Sequence, residues 1–97
     1  MRASTDVIIS DAAQQAGANF KTHTTSIPSM GWGEPGCIGY YNSPVVPAGC
    51  RVEYGKQTGF CGRVIAFVVA ENEDASPIMS AKNCEPYSGE IPAHIEV

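Results

Sequence analysis

What this 97-residue sequence lacks bounds it before what it has. No two cysteines stand closer than 11 positions apart. Zinc sites need thiolate pairs two to four residues apart, so that one turn presents both to a single ion, and that spacing is missing along with any Cys-x-x-Cys redox motif. Charge is scarce, at 16% of residues, and the balance of 6 basic to 10 acidic side chains gives a net charge of −4. Such a chain has no basic footprint for tight binding along a phosphate backbone. No apolar run approaches the roughly 20 residues of a membrane span. The first thirty residues hold no apolar run of seven or more, so no signal peptide is visible. There is no Asn-x-Ser/Thr sequon, no Gly-x-Ser-x-Gly nucleophile elbow, no internal repeat and no linker. The length predicts one domain over 1–97.

Four cysteines are present: Cys37, Cys50, Cys61 and Cys84. In a short chain with 10 glycines and 7 prolines, an even cysteine count reads as two disulfides formed in an oxidising compartment. Free buried thiols are the competing reading. The disulfide reading predicts a secreted, extracellular protein whose leader has been removed. Three pairings are open; one closes a 50–61 hairpin over a turn at Gly55-Lys56 and leaves Cys37 to pair with Cys84.

Oxygen side chains at Ser4-Thr5-Asp6 suit a helix start, and Val7, Ile8, Ala12 and Ala16 follow as an apolar stripe that ends at Gly17. This predicts a helix over about 5–17, with Val7-Ile8-Ile9 as a short strand in the alternative. Residues 21–36 are polar and turn-rich. Strands are predicted over Cys37–Tyr41, broken by Asn42-Ser43-Pro44, and over Cys50–Tyr54, followed by a turn at 55–59. Phe60 to Ala70 is apolar on both alternating faces, the mark of a central strand covered on each side. Pro77–Ser80 and His94–Val97 read as short strands. The predicted fold class is α+β: one N-terminal helix packed on an antiparallel sheet of four to five strands, with two disulfides.

Candidate chemistry is thin. His23 lies in a polar stretch and His94 near the C-terminus, where exposed histidines without a role are the plain expectation. Glu34, Glu53, Glu71 and Glu73 include no pair selected by spacing for acid–base work. The Glu71–Asp74 cluster lacks the alternating oxygens of a calcium loop and reads as a solvated turn. No catalytic residue, metal site or cofactor is assigned. Trp32, set between glycines, is either a binding loop or a lid over the core. Tyr40 and Tyr41 read as strand packing more than as a base-stacking platform, because such platforms usually come with basic neighbours.

The order of several fragments is nonetheless informative. A Ser-Thr-Asp-Val start is followed by Ala-Ala and Ala-Gly, an x-Pro-x turn, a Pro before a Gly- and Tyr-containing hairpin, and Arg63-Val64-Ile65. Over roughly residues 4–82 this resembles the small secreted guanyl-specific fungal ribonucleases and the ribonuclease-like effectors of plant-pathogenic fungi. The resemblance implies loss of catalysis. The family's Tyr-Pro-His falls on Ile27-Pro28-Ser29, its glutamate base on Val45 and its last histidine on Ser80, and only the phosphate-binding arginine is kept, as Arg63. Valine and serine cannot supply the base and acid that RNA cleavage needs.

The expectation is therefore a secreted, monomeric, effector-like pseudoenzyme. It would bind a host macromolecule, protein more than RNA given the acidic charge, through loops around Trp32, Tyr40 and Tyr41, and it is either extracellular or translocated into host cells. An active divergent ribonuclease using His23 or His94 with Glu53 and Arg63 is the enzyme alternative. A small toxin or antimicrobial protein of unrelated fold is the third.

Overall fold

The structure, a computed structural model, describes the backbone at residues 1–27, 37–59 and 62–97, and side chains at these positions except 25–27, 37 and 38. The chain runs β1 (Arg2–Ala3), β2 (Val7–Ile9), α1 (Asp11–Gln15), β3 (Asn19–Ile27), β4 (Cys37–Val45), β5 (Cys50–Gln57), β6 (Val64–Ala70), α2 (Ser76–Ala81) and β7 (Cys84–Pro86), then a 3-10 turn at Ala93–Ile95.

β6 organises the molecule. Its residues Ile65 to Val69 are all buried, because their alternating side chains meet apolar surface on both faces. It lies in the middle of a five-stranded sheet of order β1-β2-β6-β5-β7. On one face Ile65, Phe67 and Val69 pack with Ile8, Ala75, Met79 and Cys84 beneath α2. On the other, Ala66 and Val68 pack with Val7, Ile9, Ala13, Ala18 and Ile95, joined by Phe20, Val52 and Tyr54. β5 pairs antiparallel with β6 from Cys50↔Ala70 to Lys56↔Val64. β2 pairs parallel with β6, Val7↔Ala66 to Ile9↔Val68, so the sheet is mixed.

The fold expected from the sequence is thus corrected: no single long helix crosses a purely antiparallel sheet. Val7-Ile8-Ile9 forms a strand because three β-branched side chains are buried on two opposed faces, which a one-sided helical stripe would not allow. Of the Ser4-Thr5-Asp6 oxygens, Ser4 Oγ serves the turn between β1 and β2, in which the Val7 N–H donates to it at 3.0 Å and the Ser4 N–H donates to the Val7 carbonyl at 2.8 Å. The helix start lies later, at Ser10, whose Oγ accepts from the Ala13 N–H. Pro77–Ser80 lies in α2, where Pro77 occupies the first turn without losing a needed hydrogen bond. Residues 94–97 hold part of the 3-10 turn instead of a strand.

The predicted turn at Gly55-Lys56 is also absent: β5 runs through it to Gln57. A Cβ at Gly55 would stand 2.9 Å from the Phe67 ring and 3.2 Å from the Cys84 Cβ. This glycine therefore marks a close approach inside a strand, not a bend.

The expected two-disulfide frame is not found. Cys50 and Cys84 are free thiols. They begin β5 and pair opposite its last residue, Gln57, respectively, which separates them by about 20 Å at strand rise, far beyond the roughly 7 Å Cα limit of a disulfide. Cys61 and the Cys37 side chain lie outside the described residues. Burial pushes the Cys84 thiol above its ordinary range, against a smaller lowering by the Lys82 charge. In the absence of reductant, an aromatic disulfide reagent is expected to label Cys50 in the native protein and Cys84 only on unfolding. A denatured chain with no titratable thiol at either position would restore the crosslinks. The expectation of secretion rested on those crosslinks and loses that ground.

β3 and β4 form a separate two-stranded ribbon, paired without interruption from Asn19↔Val45 to Ile27↔Cys37. At strand rise it is about 30 Å long. The strand predicted to break at Asn42-Ser43-Pro44 continues to Val45, since Pro44 sits on an edge where no further strand asks for its N–H. Across the ribbon Thr22 Oγ1 donates to Asn42 Oδ1 at 2.9 Å, and His23 Nε2 lies 2.7 Å from Ser43 Oγ. Phe20 anchors the base of the ribbon in the core.

Candidate functional site

The ribbon meets the sheet at Asp6. This carboxylate follows the β1–β2 turn and is almost fully buried. Its Oδ2 accepts from the Asn42 N–H of β4 at 3.1 Å. Its Oδ1 stands 3.6 Å from His94 Nε2, on the 3-10 turn. His94 Nε2 is itself buried and has no hydrogen-bond partner. The imidazole packs against the Tyr41 ring, with centroids 4.9 Å apart and planes tilted by 55°. One carboxylate thus ties together the start of β2, the ribbon and the C-terminal turn.

Around this junction lie two adjoining hollows. The first, of about 340 Å³, is lined by Asp6, Tyr40, Tyr41, His94 and Arg63 among others. Tyr40 is 67% exposed and Tyr41 39%, which makes the rim aromatic and open. The second, of about 350 Å³, is lined by Ser4, Thr5, Ile8, Gln57, Arg63 and Lys82. Thr5 and Arg63 belong to both and form the wall between them. Arg63 reaches this wall because it immediately precedes β6, at the sheet edge beside the β1–β2 turn.

Arg63, Tyr40, Tyr41 and His94, each singled out in the sequence for a separate reason, line one hollow. Trp32 and the catalytic-motif positions Pro28 and Ser29 lie outside the described residues. Val45 ends β4 at the ribbon base and Ser80 lies in α2, and neither of these positions, which the ribonuclease resemblance gives to the base and the last histidine, lines the two hollows. Glu53 is not at this site: it pairs with Arg51 at 2.6 Å and lines another hollow with Tyr87. His23 sits on the ribbon beside Ser43. Glu73 is structural, its Oε1 accepting from Ser10 Oγ at 2.6 Å and from the Ala70 N–H at 3.0 Å. Asp74 caps the entry to α2, and the Ser76 N–H that it accepts holds its carboxyl below the usual range. Among the described residues no three His, Cys, Asp or Glu side chains converge as a metal ion would require.

Sequence reasoning missed Asp6, Thr5 and Lys82. Asp6 was spent on a helix cap, and Lys82 carries no local signal, since it reaches the site only through the turn after α2.

The geometry says what this arrangement does chemically. Asp6 and His94 face each other, and Asp6 is further held by a backbone N–H. Acid–base catalysis instead needs proton-transfer groups aimed at a substrate. The hollow is lined by a guanidinium and two phenol rings together with the Asp6–His94 pair. Comparison of the chain with protein-family models, curated proteins and solved structures finds no match.

Proposed function

We propose that the chain is a binding module without catalytic turnover, whose site is the hollow between the ribbon and the C-terminal turn, and that it takes a planar group carrying negative charge. One observation carries the reading: the exposed Tyr40 shares a hollow with Arg63. An open aromatic face stacks a flat ring, and a guanidinium forks onto an anion. The net charge of −4 favours a small ligand or a single residue of a partner over a long nucleic-acid backbone, which would need many phosphate contacts.

A nucleoside 5′-monophosphate is the probe. Its addition is expected to shift the NMR signals of Tyr40, Tyr41, His94 and Arg63. Tyr40→Ala is expected to weaken binding about tenfold, the lower end of what one stacked base contributes, with no change in the urea midpoint. Unmoved signals at these four residues would overturn the reading.

The Asp6–His94 approach of 3.6 Å favours one other reading, an acid–base enzyme. It is separated by RNA cleavage. No turnover is expected; cleavage that disappears in His94→Ala would replace the binding reading with the enzyme.

A further inference from the structure

The second hollow, on the far side of Arg63, is an unassigned cationic pocket in an acidic protein. Three of the six basic side chains have protein partners. Arg2 stacks over Phe20 and bonds Asn19. Arg51 holds Glu53 and the carbonyls of Glu71 and Glu73. Lys56 lies over the Tyr87 ring. Arg63 and Lys82 have no ion-pair partner among the described residues, and both line this hollow, whose lining contains no carboxylate. The Thr5 hydroxyl and the Gln57 carboxamide also line it, and neither side chain is engaged elsewhere among the described residues. Two cations and two neutral donors lining one hollow match an anion with several acceptor oxygens, which a phosphate monoester offers and a single carboxylate does not.

We propose that this hollow is a phosphate subsite and that the ligand is a nucleotide lying across the Thr5–Arg63 wall, its phosphate held by Arg63 and Lys82 and its ring against Tyr40. The placement of the ring rests on the reading of the tyrosine hollow given above; the phosphate subsite stands on its own residues.

The test uses the full chain and four probes: inorganic phosphate, ribose 5-phosphate, a nucleoside, and the corresponding nucleoside 5′-monophosphate. Binding is followed by NMR at Thr5, Gln57 and Lys82 for the subsite, and at Tyr40 and Tyr41 for the ring. All three phosphate-bearing probes are expected to shift the first set, and the monophosphate to bind at least tenfold more tightly than the nucleoside. Lys82→Gln is expected to lower affinity for the phosphate-bearing probes about tenfold, the lower range for a charge-assisted hydrogen bond, and to leave the nucleoside unaffected. A native-like spectrum of Lys82→Gln confirms that the fold is intact, and Lys82→Ala repeats the comparison.

Equal affinity of Lys82→Gln and the parent for monophosphate, with Tyr40 still shifting, overturns the phosphate subsite and leaves the ring-binding reading standing. Shifts at Thr5, Gln57 and Lys82 with Tyr40 unmoved support the subsite and overturn the ring placement. No shift at either set overturns both.

Discussion

Phe67→Ala is expected to destabilise the protein by about 3–5 kcal/mol, the range for emptying a buried phenylalanine site, and to lower the thermal midpoint by more than about 12 °C for a chain of this size. The ring is fully buried and sits in the middle of the central strand, between Ile8 of β2 and Glu53 of β5. It packs on the face roofed by α2, with Met79, Ala75 and Cys84 around it. Collapse into the space is hindered because the floor beneath the ring is Gly55, which has no side chain to offer. Small domains hold only about 5–15 kcal/mol in total, so the alanine variant is expected to sit near the edge of folding. Phe67→Leu keeps the measurement readable and is expected to cost roughly 1–2 kcal/mol in urea unfolding.

Gly55 adds an internal control. Gly55→Ala in the parent forces a Cβ to within 2.9 Å of the Phe67 ring, with an expected cost of about 1–3 kcal/mol from overpacking. Combined with Phe67→Leu, the two changes are expected to cost less than their sum, because the shorter side chain makes room for the methyl group. Strict additivity would show that ring and glycine do not press on one another. A Phe67→Ala cost below about 1 kcal/mol would remove β6 from its place as the packing centre.

The same strand shows what the sequence discloses and what it hides. Val64 to Ala70 alternates two apolar faces, and a strand with two apolar faces has to lie centrally in a covered sheet; nothing outside the strand is needed to see it. Val7-Ile8-Ile9 carries the same signal in three residues, too short to outweigh the capping oxygens before it and the alanines after it. Of those oxygens only Ser4 Oγ accepts a nearby free N–H, and the chain uses it to close a turn, with Ser10, four residues beyond Asp6, as the real cap. Gly55 carries opposite meanings, bend or close approach, and only the Phe67 ring across the strand pair decides between them. The cysteines mislead for a similar reason: an even count is a statement about composition, whereas bridging depends on which ends of which strands coincide, and Cys50 begins β5 while Cys84, on β7, lies beside its far end.

The site follows the same division. Tyr40 and Tyr41 were visible as aromatic side chains on an otherwise polar ribbon, and Arg63 as the cation that opens the central strand. Asp6 and His94 come from opposite ends of the chain and line one hollow, while Lys82, from the turn after α2, lines the other beside Arg63. A parallel pairing between residues some sixty positions apart leaves no mark in local spacing.

Asp6→Ala is expected to loosen that junction and with it the base of the ribbon. The carboxylate is nearly buried, accepts the Asn42 N–H at 3.1 Å, and stands 3.6 Å from the unpartnered His94 Nε2. Its removal strands one backbone donor, and a buried polar group left unpaired costs about 1–3 kcal/mol; it also takes away the negative charge beside His94 Nε2, which has no hydrogen-bond partner even in the parent. The main-chain bond from the Ala66 N–H to the Asp6 carbonyl, at 2.9 Å, survives the substitution, so β2 stays paired and the loss is confined to the ribbon and the C-terminal turn. Hydrogen exchange is therefore expected to accelerate at Asn42 and its ribbon neighbours while Ala66 and Val68 stay protected. Asp6→Asn separates the two roles. Its side-chain oxygen can still accept from Asn42, so ribbon protection is expected to recover, whereas the negative charge beside His94 is gone. If Asp6→Ala leaves the Asn42 amide as protected as in the parent, the carboxylate is not the tie between ribbon and sheet, and the tyrosine hollow must be held in shape by Phe20 and the packing of Tyr41 on His94 instead.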